Sequence, residues 1–214
     1  MFRLKPGLLT IIGALLPLAL GATLGMMTTD TDQGTLAYPM PSGAFVALSV
    51  GLAVAHALVI AGYLDVGRRS TGLGRTFCQV GAVGTALVAG VELWSGALAS
   101  VARDSGAVTA LSAGFFTTGL IIAIGTVGAG IALRPSLPRL ARPLLVNGLF
   151  LALVVIPVRF LGNDELAIAA LTIWQASYVW LGVALLRTTP PNAPVTDSAE
   201  RLVLDNIEEK GRRT

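Results

Sequence analysis

Four stretches of this chain, residues 6–29, 33–64, 105–133 and 166–186, contain no charged side chain at all. Each is long enough to cross a bilayer as a helix, since about 20 residues at a rise of about 1.5 Å span the hydrocarbon core. A chain in lipid must satisfy its backbone hydrogen bonds internally, which a helix does. Two further apolar stretches, about 76–100 and 143–161, are interrupted only by Glu92 in the first and by Pro157 and Arg159 late in the second. The sequence therefore predicts an all-α, polytopic membrane helix bundle with six transmembrane helices, over about 8–27, 43–64, 76–100, 108–133, 143–161 and 166–186. Composition agrees: 54% of residues are hydrophobic and 13% charged, where a soluble domain carries about 25% charged residues.

The charges that remain are ordered. Arg68, Arg69 and Arg75 mark one loop and Arg134, Arg139 and Arg142 another, whereas Asp30, Asp32, Arg103, Asp104, Asp164 and Glu165 mark the alternate ones. Basic loops stay in the cytoplasm. That rule predicts both termini inside (N-in/C-in), and with the tails it puts all of the 15 Lys and Arg residues inside except Arg103 and Arg159. It also reads the net charge of +3 as a topology signal in a bacterial inner membrane, not as a surface for nucleic acid.

The apolar run after Arg3 and Lys5 resembles a signal peptide, with Ala19–Ala22 as its small-residue region, but it exceeds the usual apolar core of about 7–15 residues and is expected to stay as the first helix. Residues 1–187 then form one transmembrane domain. Residues 188–214 begin with a stiff Pro-rich segment, after which Asp197 and Glu200 match a capping box ahead of Leu202, Val203, Leu204 and Ile207, a short amphipathic cytoplasmic tail.

Helices in lipid associate through small residues. Gly21 with Gly25, then Ala53, Ala57 and Ala61, then Ala82, Ala86 and Gly90, and finally Gly114, Gly119, Gly125, Gly128 and Gly130 supply such stripes, suited to packing within the bundle or to a homo-oligomer or other membrane subunits.

A single cysteine, Cys78, and a single histidine, His56, exclude an internal disulfide, a CxxC motif and bis-histidine haem ligation, so neither a metal site nor a cofactor is expected. No Walker loop, HExxH or nucleophile elbow is present, and no catalytic residue is assigned.

The residues that remain as candidates are polar groups inside the spans. A carboxylate at Glu92 costs about 2.5–3.5 kcal/mol to insert unless it finds a partner, a proton or water. With spans three and five centred near residues 88 and 152, Glu92 and Arg159 lie roughly 6 and 10 Å outward of centre, which allows an ion pair or a functional site. His56 lies on the cytoplasmic side of its span, roughly 9 Å in depth from Glu92, as a proton relay or a hydrogen-bonded core residue. Gln175 sits mid-span, and Gln79, Thr85, Thr126, Asn147 and Ser177 extend a polar track. Trp94, Tyr178 and Trp180 suit interface anchoring or core packing.

Glu92, Arg159, His56 and Gln175 thus form the candidate intramembrane site, and three readings follow: a small transporter or permeation-related protein for a proton or small solute, a non-enzymatic scaffold or subunit of a larger membrane complex, and an intramembrane enzyme.

Overall fold

A computed structural model describes residues 5–24, 26–28, 33–161 and 164–188 of the chain. Helices α1 (Pro6–Leu24), α2 (Ser42–Arg69), α3 (Gly72–Ala97), α4 (Gly106–Leu133), α5 (Pro138–Phe150), α6 (Ile156–Arg159) and α7 (Asp164–Arg187) follow in order, and a π-helical turn, Leu151–Val155, joins α5 to α6. With α5, that turn and α6 taken as one element, six helices are long and apolar enough to cross a membrane. The capping box at Asp197 and Glu200, the Pro-rich segment beyond Thr188, and Gly25 lie outside the described residues.

Helix boundaries follow local chemistry. α1 opens on Pro6 and α5 on Pro138, where the missing amide proton costs no helical hydrogen bond. α2 continues past the expected residue 64 through Arg68 and Arg69, whose charges complement the carbonyl end of the helix. Ser70 and Thr71 are extended, and Gly72, at φ 55°, turns the chain into α3. The Ser105 hydroxyl caps α4 by accepting from the Val108 amide at 3.3 Å.

Other boundaries differ from the sequence reading too: α1 ends at Leu24, not 27, and α3 starts at Gly72, not 76. α5 starts at Pro138, not near 143, because Arg139 and Arg142 ride on its first turns with their long side chains free to reach outward. α3 ends at Ala97, not 100, because the next residues turn away to meet residues 34–38: Leu36 and Ala37 donate to Val101 and Ala99, and Arg103 donates to Gly34, Thr35 and Tyr38 carbonyls.

The break in the fifth long helix precedes Pro157. Proline lacks the N–H that would bond residue 153 and crowds the preceding turn, and the wider π-helical turn absorbs the misfit.

α1 packs on α2, α2 on α3, α3 on α4, α4 on α5, α5 on α7, and α7 returns to α1, so the six long helices close into a ring. Each neighbouring pair is antiparallel, as the close approaches of Gly13 to Ala55 and Gly62 to Thr10, of Gly81 to Tyr63 and Gly96 to Ser49, and of Gly125 to Gly81 and Gly114 to Val91 require. Pro6, Arg69, Gly72, Leu133, Pro138 and Arg187 consequently gather at one end, here the basic end, and Leu24, Ser42, Ala97, Gly106 and Arg159 at the other.

Small residues make the tightest contacts. A Cβ on Gly125 would come within 2.7 Å of the Gly81 Cα, and one on Gly148 within 2.8 Å of the Val127 amide nitrogen. Only part of each expected stripe is used this way: Ala53 and Ala82 are buried, but Ala57, Ala86 and Gly90 face outward, and a Cβ on Gly21 or Gly90 would meet nothing within 4 Å.

Candidate functional site

The ring interior changes character along its axis. Toward the basic end it is solid: Val66, Leu133, Leu140, Leu144, Leu181 and Leu185 are buried together. Arg69 seals this end by donating to the Asp65 carboxylate at 2.6 Å and to both the carbonyl and hydroxyl oxygens of Thr188 at 2.8 Å, tying the end of α2 to the end of α7. Asp65 and Arg69 are one helical turn apart, the spacing at which opposite charges meet.

Above this plug stands an aromatic and polar layer. The hydroxyls of Tyr63 and Tyr178 share a hydrogen bond of 2.7 Å, with the rings edge to face at a centroid distance of 6.1 Å. Trp174, one turn before Tyr178, donates its indole N–H to Asn147 Oδ1 at 3.2 Å, and Asn147 Nδ2 donates to the Ser177 hydroxyl at 2.6 Å. Gln175 Nε2 donates to the Gly13 carbonyl at 3.3 Å, fastening α7 to α1. His56 lies 6.5 Å from Trp174 between ring centroids, and its Nδ1 donates to the Leu52 carbonyl at 2.8 Å. A proton on Nδ1 leaves Nε2 with no hydrogen-bond partner among the described residues. His56 as a whole is buried.

Toward the opposite end the interior loosens. On α3, Gln79, Val83, Ala86, Gly90 and Leu93 form the outward arc, and Glu92 lies on the other side with Gly81, Thr85 and Val88. Those three are buried, yet Glu92 is only half-buried. Phe45, Leu48 and Leu52 likewise share the inward face of α2 with buried Val59 and Tyr63 and remain half-exposed. No residue of α1 beyond Ala14 is buried. Ser49, Ser95, Gly96 and Ala99, farther toward that end, are buried again, so the ring is filled at its basic end and only less tightly filled around Glu92.

Arg159 follows buried Val155 by four residues, but it is itself exposed, as is Phe160 after it. Ile156 meets Gly119 and the Phe160 ring stacks edge to face on Phe116 at 5.6 Å, while Val91 meets Gly114 on the same helix. α4 thus sets Glu92 and Arg159 within about one helical turn of each other in depth. No contact ion pair joins them, neither makes a hydrogen bond among the described residues, and Arg159 acts on Glu92 only through space.

Of the four residues singled out by sequence, half-buried Glu92 and exposed Arg159 therefore lie at similar depth in the non-basic half, whereas His56 and Gln175 are buried in the layer beneath. The antiparallel register of α2 and α3, fixed by Tyr63 with Gly81 and Ser49 with Gly96, puts His56 about level with residue 88. Its depth differs from that of Glu92 by roughly 6 Å at 1.5 Å per residue, less than the spans alone suggested.

Gln79 is exposed and drops out of the polar track. Tyr63 joins the layer without having been singled out, although its place seven residues after His56, two turns on the same helix face, marks it. Tyr178 belongs to the core and Trp94 and Trp180 face outward, at 39% and 47% exposure.

No cluster of His, Cys, Asp or Glu able to hold a metal ion occurs among the described residues. Comparison with protein-family models, with curated proteins and with solved structures finds no match.

Proposed function

We propose that this chain is a multi-pass protein of a bacterial inner membrane, with both termini in the cytoplasm, that passes a proton or a small polar solute by way of Glu92. The observation that carries this reading is the state of Glu92, a half-buried carboxylate on the inward side of an apolar helix that makes no hydrogen bond among the described residues. A charge held that way within a membrane requires water, a proton or a ligand. Arg159 at similar depth, and His56 with an unpaired nitrogen about one turn below, add polar groups to the same part of the molecule. The leucine-filled basic end and the half-buried carboxylate beyond it make the arrangement one-sided, which supports a transport reading.

Flux into proteoliposomes tests the proposal. Wild-type protein is expected to move protons or one member of a solute panel, and Glu92→Gln to lose that movement by at least tenfold while keeping its elution profile and thermal stability. Identical background leakage for wild type and variant, across protons and the whole panel, overturns the transport reading and favours a scaffold or subunit.

A further inference from the structure

We infer that the basic end of the ring binds an anionic phospholipid headgroup through two pairs of arginines, Arg75 with Arg134 and Arg139 with Arg142. Each pair takes one phosphate, so a lipid carrying two phosphates fits best. The inference stands apart from the transport reading and from which side of the membrane this end faces.

All four guanidiniums belong to exposed residues, and none makes a hydrogen bond or ion pair among the described residues. Their own helices supply no counter-charge, since no Asp or Glu occurs from residue 66 to 91 or from 105 to 163. The one carboxylate at this end among the described residues, Asp65, is already held by Arg69. The fold nevertheless brings these charges together. Gly74 packs on Leu133, where a Cβ would come within 2.6 Å of Leu133 Cδ2, so Arg75 and Arg134 each stand one residue from the same contact. Arg139 and Arg142 lie three residues apart near the start of α5, the spacing at which like charges repel and the helix end at which cations are disfavoured. An anion relieves both.

A lipid suits the place better than a free anion or a nucleic acid. Val146 and Leu149, both exposed, follow Arg139 and Arg142 by two turns on the same side of α5. On α3, exposed Gln79, Val83 and Ala86 follow Arg75 in the same way, with the Gln79 amide free of hydrogen bonds among the described residues. A headgroup held by the arginines therefore has apolar helix faces directly beneath it for its acyl chains. Arginines at a membrane boundary attract anionic lipids, and the guanidinium fork matches two phosphate oxygens at once. A lipid with one phosphate leaves one pair unoccupied, and a zwitterionic lipid brings its own cation against the arginines.

Lipid binding to the purified full-length protein in detergent micelles, read by native mass spectrometry, tests this without any dependence on orientation. Cardiolipin, phosphatidylglycerol and phosphatidylcholine with matched acyl chains serve as probes, with inorganic phosphate as a soluble competitor. Cardiolipin is expected to bind at least tenfold more tightly than phosphatidylcholine and at least threefold more tightly than phosphatidylglycerol, and to resist displacement by millimolar phosphate. The double variants Arg75→Gln/Arg134→Gln and Arg139→Gln/Arg142→Gln are each expected to lose at least fivefold of the preference over phosphatidylcholine. Lys5→Gln/Arg68→Gln, which removes two exposed charges from α2 and the start of α1 at the same end, is expected to keep it. Equal binding of the three lipids, displacement by inorganic phosphate, or an equal loss in the Lys5/Arg68 variant overturns the inference. If the arginine variants do not fold, the wild-type ranking and the phosphate competition decide.

Discussion

At the scale of single residues, the bundle rests on a few polar contacts whose loss has an uneven cost. The Tyr63–Tyr178 pair is the clearest case, since both rings are almost fully buried and each hydroxyl faces the other. Removing either hydroxyl takes away the same shared contact, leaving Tyr63 beside Thr85 or Tyr178 beside Asn147, and removing both takes it away only once, so the two losses should not add. Tyr63→Phe and Tyr178→Phe are each expected to lower unfolding stability by about 1 kcal/mol, with the double variant falling short of their sum by about 0.5–1.5 kcal/mol. Steric-trap unfolding in bicelles measures this, and strictly additive losses would mean that the hydroxyls act independently. Sequence alone hinted at half of this pair, because Tyr178 follows Trp174 by one turn but a tyrosine near a helix middle suits a lipid interface as well as a core. The same limit applied to Glu92 and Arg159: depth along two helices was readable, but whether they touch depends on the helix between them. α4 stands there, and its aromatic contact through Phe116 and Phe160 holds the arginine-bearing segment where no ion pair forms.

At the scale of helices, existence was legible and facing was not. Four charge-free runs and two apolar runs each carrying one charge announce six long helices, since a helix satisfies its own backbone within lipid, and the structure has six of that length and apolarity. Which side of each helix turns inward is a harder question, because outward and inward faces are both apolar and the usual contrast of a soluble helix is absent. Small residues are a partial guide and mislead where they are plentiful: Gly125 packs against the Gly81 backbone, but a Cβ on Gly90 would meet nothing within 4 Å. Opposite responses to one substitution follow. Gly125→Ala forces two backbones apart and is expected to cost about 1–3 kcal/mol, while Gly90→Ala stiffens an open helical position and should gain about 0.5–1 kcal/mol. Thermal denaturation of the two variants side by side checks the contrast, and a fall for both would show that Gly90 has a partner beyond this chain. The π-helical turn was legible only in outline. Pro157 signalled a disturbance, but not that the helix would continue through it as far as Arg159.

For the molecule as a whole, the ring joins two asymmetries that the sequence shows separately. Arg68, Arg69, Arg75, Arg134, Arg139, Arg142 and Arg187 collect at the end that is plugged by leucines and fastened by Arg69, while Glu92 and Arg159 belong to the other. Because basic residues resist translocation, the orientation proposed from these charges also decides which side of the membrane Glu92 lies toward. On the proposed topology that is the outer side, from which a solute would enter. Topology is therefore a test of mechanism as well as of orientation. In a Cys78→Ala background, Ser136→Cys lies in the exposed turn between α4 and α5, and Gln33→Cys in the exposed segment before α2 at the opposite end. A membrane-impermeant maleimide applied to intact spheroplasts is expected to label position 33 and to label position 136 only after permeabilisation. The reverse pattern would turn the molecule over and put Glu92 toward the cytoplasm. Labelling of both positions from outside would break the link between charge and orientation, because two sites at opposite ends of a membrane-spanning ring cannot share a compartment.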